Sequence, residues 1–173
     1  MLDELLQPDQ HGRRRNQFLT FFLGQEEYGI DILRVQEIKG WNGATAIPNT
    51  PDYILGVINL RGIIVPIIDL RLRFGLPEAR YDAMTVVIVV KTRGEDDQER
   101  TVGLVVDAVS EVYDLSEKTM NPPPELGCSV ETDFIEAIAN LEDKMIIVMN
   151  VDKLVSREVR EQAKKAVQAA GAS

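Results

Sequence analysis

Between Asp52 and Asp69 this chain carries one charge, Arg61, and that charge stands beside a glycine. Apolar, β-branched runs flank it, Gly56-Val57-Ile58-Asn59-Leu60 on one side and Gly62-Ile63-Ile64-Val65-Pro66-Ile67-Ile68 on the other. Two such runs meeting at Asn59-Leu60-Arg61-Gly62 predict two strands and a tight turn. Gly62 suits that turn because glycine reaches positive φ without steric cost. The arms of the hairpin must build core, and the arginine must stand near its tip. A lone charge on an apolar hairpin is the pattern of a contact residue, and no enzyme motif accompanies it. Pro66 cannot donate to a ladder, which predicts an edge or bulged position for it.

Other segments add strands. Residues 17–23 are a β-rich run ending in the turn Gly24-Gln25-Glu26-Glu27. Residues 32–38 fit a helical turn followed by a strand, and on a strand Val35 and Glu37 share one face. Thr50-Pro51-Asp52 reads as the start of a helix of little more than one turn, with Thr50 as N-cap and Pro51 first. Residues 85–90 and 101–106 predict a second strong strand pair across a charged loop at 93–100. Residues 109–115 alternate like a half-buried strand, and 134–141 with 145–149 predict a final hairpin. Ser156 is placed to cap the one substantial helix, where Val159, Ala163, Ala166, Val167 and Ala170 recur at helical spacing. About ten short strands and a late helix fit a pair of small barrels or one sandwich. Residues 1–16 are expected to form a disordered tail, 17–156 the domain, with a subdomain boundary near 75–84, and 157–173 a C-terminal helix and tail. No internal repeat is plain in the sequence.

Composition narrows the function. Nineteen basic against 28 acidic residues, a net charge of −9, provide no basic face for nucleic acid, so that partner is not expected. Residues 1–16 lack the apolar stretch of a signal peptide. No run approaches the ~18 to 20 apolar residues that span a bilayer, because Arg61 and Asp69 interrupt the longest, so direct membrane insertion is not expected either. The single histidine, His11, lies in the tail, out of reach of a Ser-His-Asp or Cys-His arrangement. Neither GxGxxG nor GxxxxGK[ST] occurs. Asp96-Asp97 and Glu26-Glu27 lie in polar turns, without the desolvation that acid–base work needs or the spacing of an EF-hand. No catalytic, cofactor-binding or metal-ligating residue is expected. The single cysteine, Cys128, excludes an internal disulfide and fits a reducing, cytoplasmic setting. Trp41, between Gly40 and Asn42-Gly43, is expected to cap a barrel end.

Several stretches, taken in order, resemble the signatures of the CheW-like family of bacterial chemotaxis coupling proteins. They are residues 26–38, then Asn49-Thr50-Pro51 with residues 56–62 and 65–70, then residues 86–89, 103–107 and 109–110. The resemblance runs from residue 17 to residue 156. It implies a mainly β fold of two SH3-like five-stranded β-barrels packed together, with terminal segments crossing between them and one C-terminal α-helix. It implies no catalytic activity and no cofactor. It implies an adaptor that ties the regulatory domain of the histidine kinase CheA to the cytoplasmic tip of chemoreceptors. Such adaptors work in membrane-associated arrays, where CheW-like domains pair into rings. Carried over by position, the binding residues are Val35, Glu37, Gly56, Arg61 and Val112, with Val35, Val112 and Arg61 lining a groove between the barrels. The loop 93–100 and the run Pro122-Pro123-Pro124 depart from the family pattern, outside the matched stretches.

Overall fold

The computed structural model describes residues 17–76, 81–94, 97–116, 119–122 and 134–171. The expected tail 1–16 with His11, the run beyond Pro122, and Cys128 lie outside the described residues.

Alternating and β-branched runs become strands: β1 Gln17–Leu23, β2 Glu26–Asp31, β3 Val35–Gly40, β4 Ile54–Leu60, β5 Ile63–Asp69 and β6 Val86–Arg93. They continue as β7 Glu99–Val106, β8 Ala108–Asp114, β9 Met120–Asn121, β10 Ile135–Leu141 and β11 Lys144–Met149. Helices α1 (Leu70–Arg73) and α2 (Val151–Leu154) are single turns, and α3 spans Arg157–Gly171. Ser156 caps α3 as expected, its Oγ accepting from the Val159 N–H at 3.4 Å. None of the helices among the described residues is long and apolar enough to cross a membrane.

The strands form two sheets, and with the late helix they give the mainly β, two-unit architecture expected. One sheet runs β8-β1-β2-β11-β10-β9 and the other β3-β6-β7-β5-β4. The first therefore exceeds five strands by the two-residue β9. Each sheet joins two antiparallel hairpins through a parallel seam, β2 with β11 and β5 with β7. The five-stranded sheet is built wholly from residues 35–106, inserted between strands of the other. The segment 75–84 connects β5 to β6 of that sheet, so the chain does not divide into its two sheets there.

Alternation along these strands feeds three apolar clusters. A central one takes residues from both sheets and from α3, among them Leu19, Phe21, Ile30, Ile68, Ile88, Leu104 and Val159. Phe18, Ala139, Ile146 and Val148 pack on the far side of the six-stranded sheet. Leu60, Val65, Ile67, Val87 and Val105 do so on the far side of the other, where Trp41 closes the cluster and meets the Tyr81 ring at 5.6 Å.

Three local expectations are corrected. Residues 50–53 form turns rather than a helix. The Thr50 hydroxyl donates to the Ile47 carbonyl at 3.1 Å, and β4 begins at Ile54, leaving no room for a helical turn. Pro66 lies on an inner strand rather than an edge, one pair away from the bulge of the β4–β5 ladder at Ile54–Gly56. It is tolerated because its partner Val57 turns both backbone groups to Thr45, at 2.9 and 3.0 Å, and the ladder to β7 begins only at Ile67. The loop expected at 93–100 is shorter, since β6 and β7 remain paired out to Arg93 and Glu99.

Candidate interaction face

The hairpin of β4 and β5 turns through Arg61 and Gly62 alone, because Leu60 pairs with Ile63. Both turn residues are left-handed, with φ of 53° and 88°, the pattern of the primed turns that match strand twist. Asn59 fixes the tip by accepting the Gly62 N–H on its Oδ1 at 2.8 Å. Arg61 is thereby raised clear of the sheet, its side chain 77% exposed. Its Nη2 lies 2.9 Å from Oε2 of Glu37, whose side chain is only 21% exposed. The acid is thus the anchored partner and the arginine the presented one. Ile63 beside it is 58% exposed, an apolar companion that the sequence pattern alone would have buried.

Glu37 reaches this position through a bulge. In β3, Val35 faces Val90 while Glu37 faces Val89, so Gln36 is an extra residue in the ladder. Residues 35 and 37 therefore point to opposite faces of the sheet, and the expectation that they share one is overturned. Val35 joins the central cluster at 2% exposure. Glu37 emerges on the side of Val89, toward the hairpin tip.

Gly56 is buried and has φ 139°. A Cβ built there would lie 2.1 Å from the Thr45 carbonyl oxygen. The position is closed by the chain crossing at Thr45, and only glycine fits it. Val112, half-buried in β8, faces Leu19 and packs against the central cluster. Of the five expected binding residues, the fold thus brings Arg61 and Glu37 into contact. Val35 and Val112 belong to the packing between the sheets, and Gly56 shapes the strand that carries the hairpin.

A second ionic group lies on the six-stranded sheet. Lys144 donates to Glu27 at 3.1 Å and is hydrogen-bonded to Tyr113, and these contacts, Tyr113 first, push its pKa up. Glu27 is buried, and its Oε2 has no partner among the described residues. The described residues hold no group of three or more His, Cys, Asp or Glu side chains arranged to bind a metal.

A family model described as the CheW-like domain matches residues 17–159. The chemotaxis protein CheW of Klebsiella aerogenes is 48% identical over 142 residues, 82% of this chain and 82% of that protein. The probable chemotaxis protein CheW of Rhizobium etli is 38% identical over 147 residues, 85% of this chain and 92% of that protein. Among solved structures, the scaffolding protein TtCheW from Thermoanaerobacter tengcongensis superposes with a TM-score of 0.73 at 37% identity, covering 84% of this chain and 96% of that one.

Proposed function

This chain belongs to the CheW-like family of non-enzymatic chemotaxis scaffolds, and from that premise we propose that it couples chemoreceptors to the histidine kinase CheA. The cytoplasmic tip of a receptor docks at the β4–β5 hairpin, where Arg61 and Glu37 make the direct contact. Val35, Gly56 and Val112 act by holding the strands that present it. The regulatory domain of CheA binds elsewhere on the same unit, residues 17–156, and further CheW-like domains extend the assembly into rings. The protein works in the cytoplasm, recruited to membrane-associated receptor arrays. The observation that carries this reading is Arg61 itself, an exposed charge held in a left-handed turn and oriented by a mostly covered carboxylate.

An exposed Arg–Glu pair contributes only about 0–1 kcal/mol to folding, so its charge is better employed in orienting a partner. A single contact burying about 1,000 Å² gives roughly micromolar affinity, and a stable array follows from many such joints acting together. Reconstitution with CheA and a receptor fragment tests the reading. Receptor control of kinase activity is expected only when this chain is present, and control without it overturns the proposal. Arg61→Ala should weaken capture of the receptor fragment and leave Tm within about 2 °C of the parent, since alanine is no better suited than arginine to a left-handed turn.

A further inference from the structure

Helix α3 lies over β4 and β5, burying Val159, Ala163 and Ala166. It does not cover the whole sheet face. Beside it a groove remains, floored by Ile63, Ile64 and Val102 and walled by Val167. Arg160 and Lys164 stand on its rim, three and seven residues after Arg157 on α3. Residues at this spacing stack along one side of a helix, so Arg160 and Lys164 stand about one turn, roughly 6 Å, apart on the rim. Arg157 meets Glu161 at 3.5 Å. Among the described residues neither Arg160 nor Lys164 makes an ion pair, although Arg160 also borders a recess holding Asp152; Arg100 lines the groove too, and no acidic side chain among the described residues does. In a chain of net charge −9 this is a local reversal of sign.

An apolar floor under a cationic rim fits an occupant with the opposite combination. We propose that the groove docks an acidic amphipathic helix of a partner protein, laid alongside α3. Its apolar residues rest on Ile63, Ile64 and Val102, and carboxylates one turn apart meet Arg160 and Lys164. β5 and β7 pair with each other only from Ile67 and Gly103 onward, but the cations are carried on α3 at helical spacing, which suits a helix laid along it rather than a strand added to the sheet. The surface adjoins the Arg61–Glu37 pair through Ile63, but neither charged member of that pair lines it. The two contacts can therefore be lost separately.

The probe is a synthetic helix of about 20 residues with leucines at helical spacing and glutamates flanking them. It is titrated into the isotope-labelled full chain and followed by NMR. Amide shifts are expected at Thr101, Val102, Ala163 and Val167, fading as salt rises from about 0.05 to about 0.5 M. Arg160→Glu with Lys164→Glu should weaken binding at least about tenfold, near 1.4 kcal/mol. The same double variant should prefer the probe remade with lysines for its glutamates. Its Tm should stay within about 2 °C of the parent, separating lost charge from lost fold. No binding, shifts away from the groove, or an equal response to the acidic and basic probes overturns the proposal. Self-association of the chain that the double variant abolishes also overturns it, by assigning the groove to a second copy.

Discussion

At the tip of the β4–β5 hairpin the backbone passes through two left-handed residues, and the first of them is an arginine. Left-handed backbone costs an ordinary L-residue roughly 1–2 kcal/mol, and asparagine tolerates it better than most. Nothing in the turn itself calls for arginine. Arg61→Asn relieves part of that strain and forfeits an exposed ion pair worth about 0–1 kcal/mol. Its Tm is expected to hold or rise by about 1–2 °C in calorimetry, while capture of a receptor fragment falls. A lower Tm with undiminished capture would make Arg61 a structural residue. Gly56 is the converse case. A methyl group there meets the Thr45 oxygen at 2.1 Å on left-handed backbone, so clash and strain add. Gly56→Ala is expected to cost about 3 kcal/mol or more, read as a drop in Tm of roughly 6 °C or more. Any loss of binding in that variant should follow its unfolding curve. Binding lost with Tm unchanged would restore Gly56 to the contact itself.

At the scale of elements, most strands were legible because their apolar residues alternate or run together between glycine and proline signals, as in β1, β5, β6 and β7. The hairpin carrying Arg61 could be drawn from the apolar runs and the turn signal between them, whereas its contact with Glu37 came only with the fold. The side of β3 on which Glu37 stands was not legible. A period-two reading puts Val35 and Glu37 together, and the extra residue at Gln36 separates them. A bulge leaves no mark in hydrophobic pattern, since it is decided by the partner strand. The turn at 50–53 misled because Thr-Pro-Asp is good chemistry for a helix start and for a turn alike, and the start of β4 at Ile54 decides between them. The end of β5 shows another long-range device. Asp69 caps α1 by accepting the Arg71 N–H at 2.9 Å, and its other oxygen accepts the Tyr81 hydroxyl at 2.5 Å. Partial burial first, then that bond and the charge of Asp69, drive the Tyr81 pKa well above its usual 10. The folded state thus holds the phenol proton more tightly than the unfolded chain does. The resulting stability is complete below about pH 10 and is lost as pH rises toward the raised folded value. Alkaline titration of Tm should show a plateau through neutrality and a fall above about pH 10. Tyr81→Phe should lower the plateau by about 1–2 kcal/mol and flatten the fall. An unchanged alkaline limb in that variant would break the link to Tyr81.

The whole molecule repeats one plan that no sequence repeat announces. In each sheet an outer strand (β8 or β3) precedes an antiparallel hairpin, a parallel seam and a second hairpin. The two copies differ in how the chain reaches them. One is continuous, residues 35–106, while the other is assembled from segments before and after it. Continuity invites the idea that residues 35–106 could fold alone, but burial argues against it. The central cluster draws Ile54, Ile68, Ile88, Val90, Leu104 and Val106 from the continuous sheet, and Leu19, Phe21, Leu23 and Ile30 from the other. Excision exposes one entire face of the continuous sheet. At about 1.5–3 kcal/mol for each large aliphatic side chain uncovered, the loss is as large as the 5–15 kcal/mol that holds a typical domain together. The full chain is therefore expected to unfold in one transition, with calorimetric and van't Hoff enthalpies agreeing. The excised segment 35–106 is expected to give the poorly dispersed amide spectrum of an unfolded or molten chain. Two separate transitions in the full chain, or a dispersed spectrum and cooperative melting from the excised segment, would show that the sheets are independent and that their shared core is an interface rather than a condition of folding.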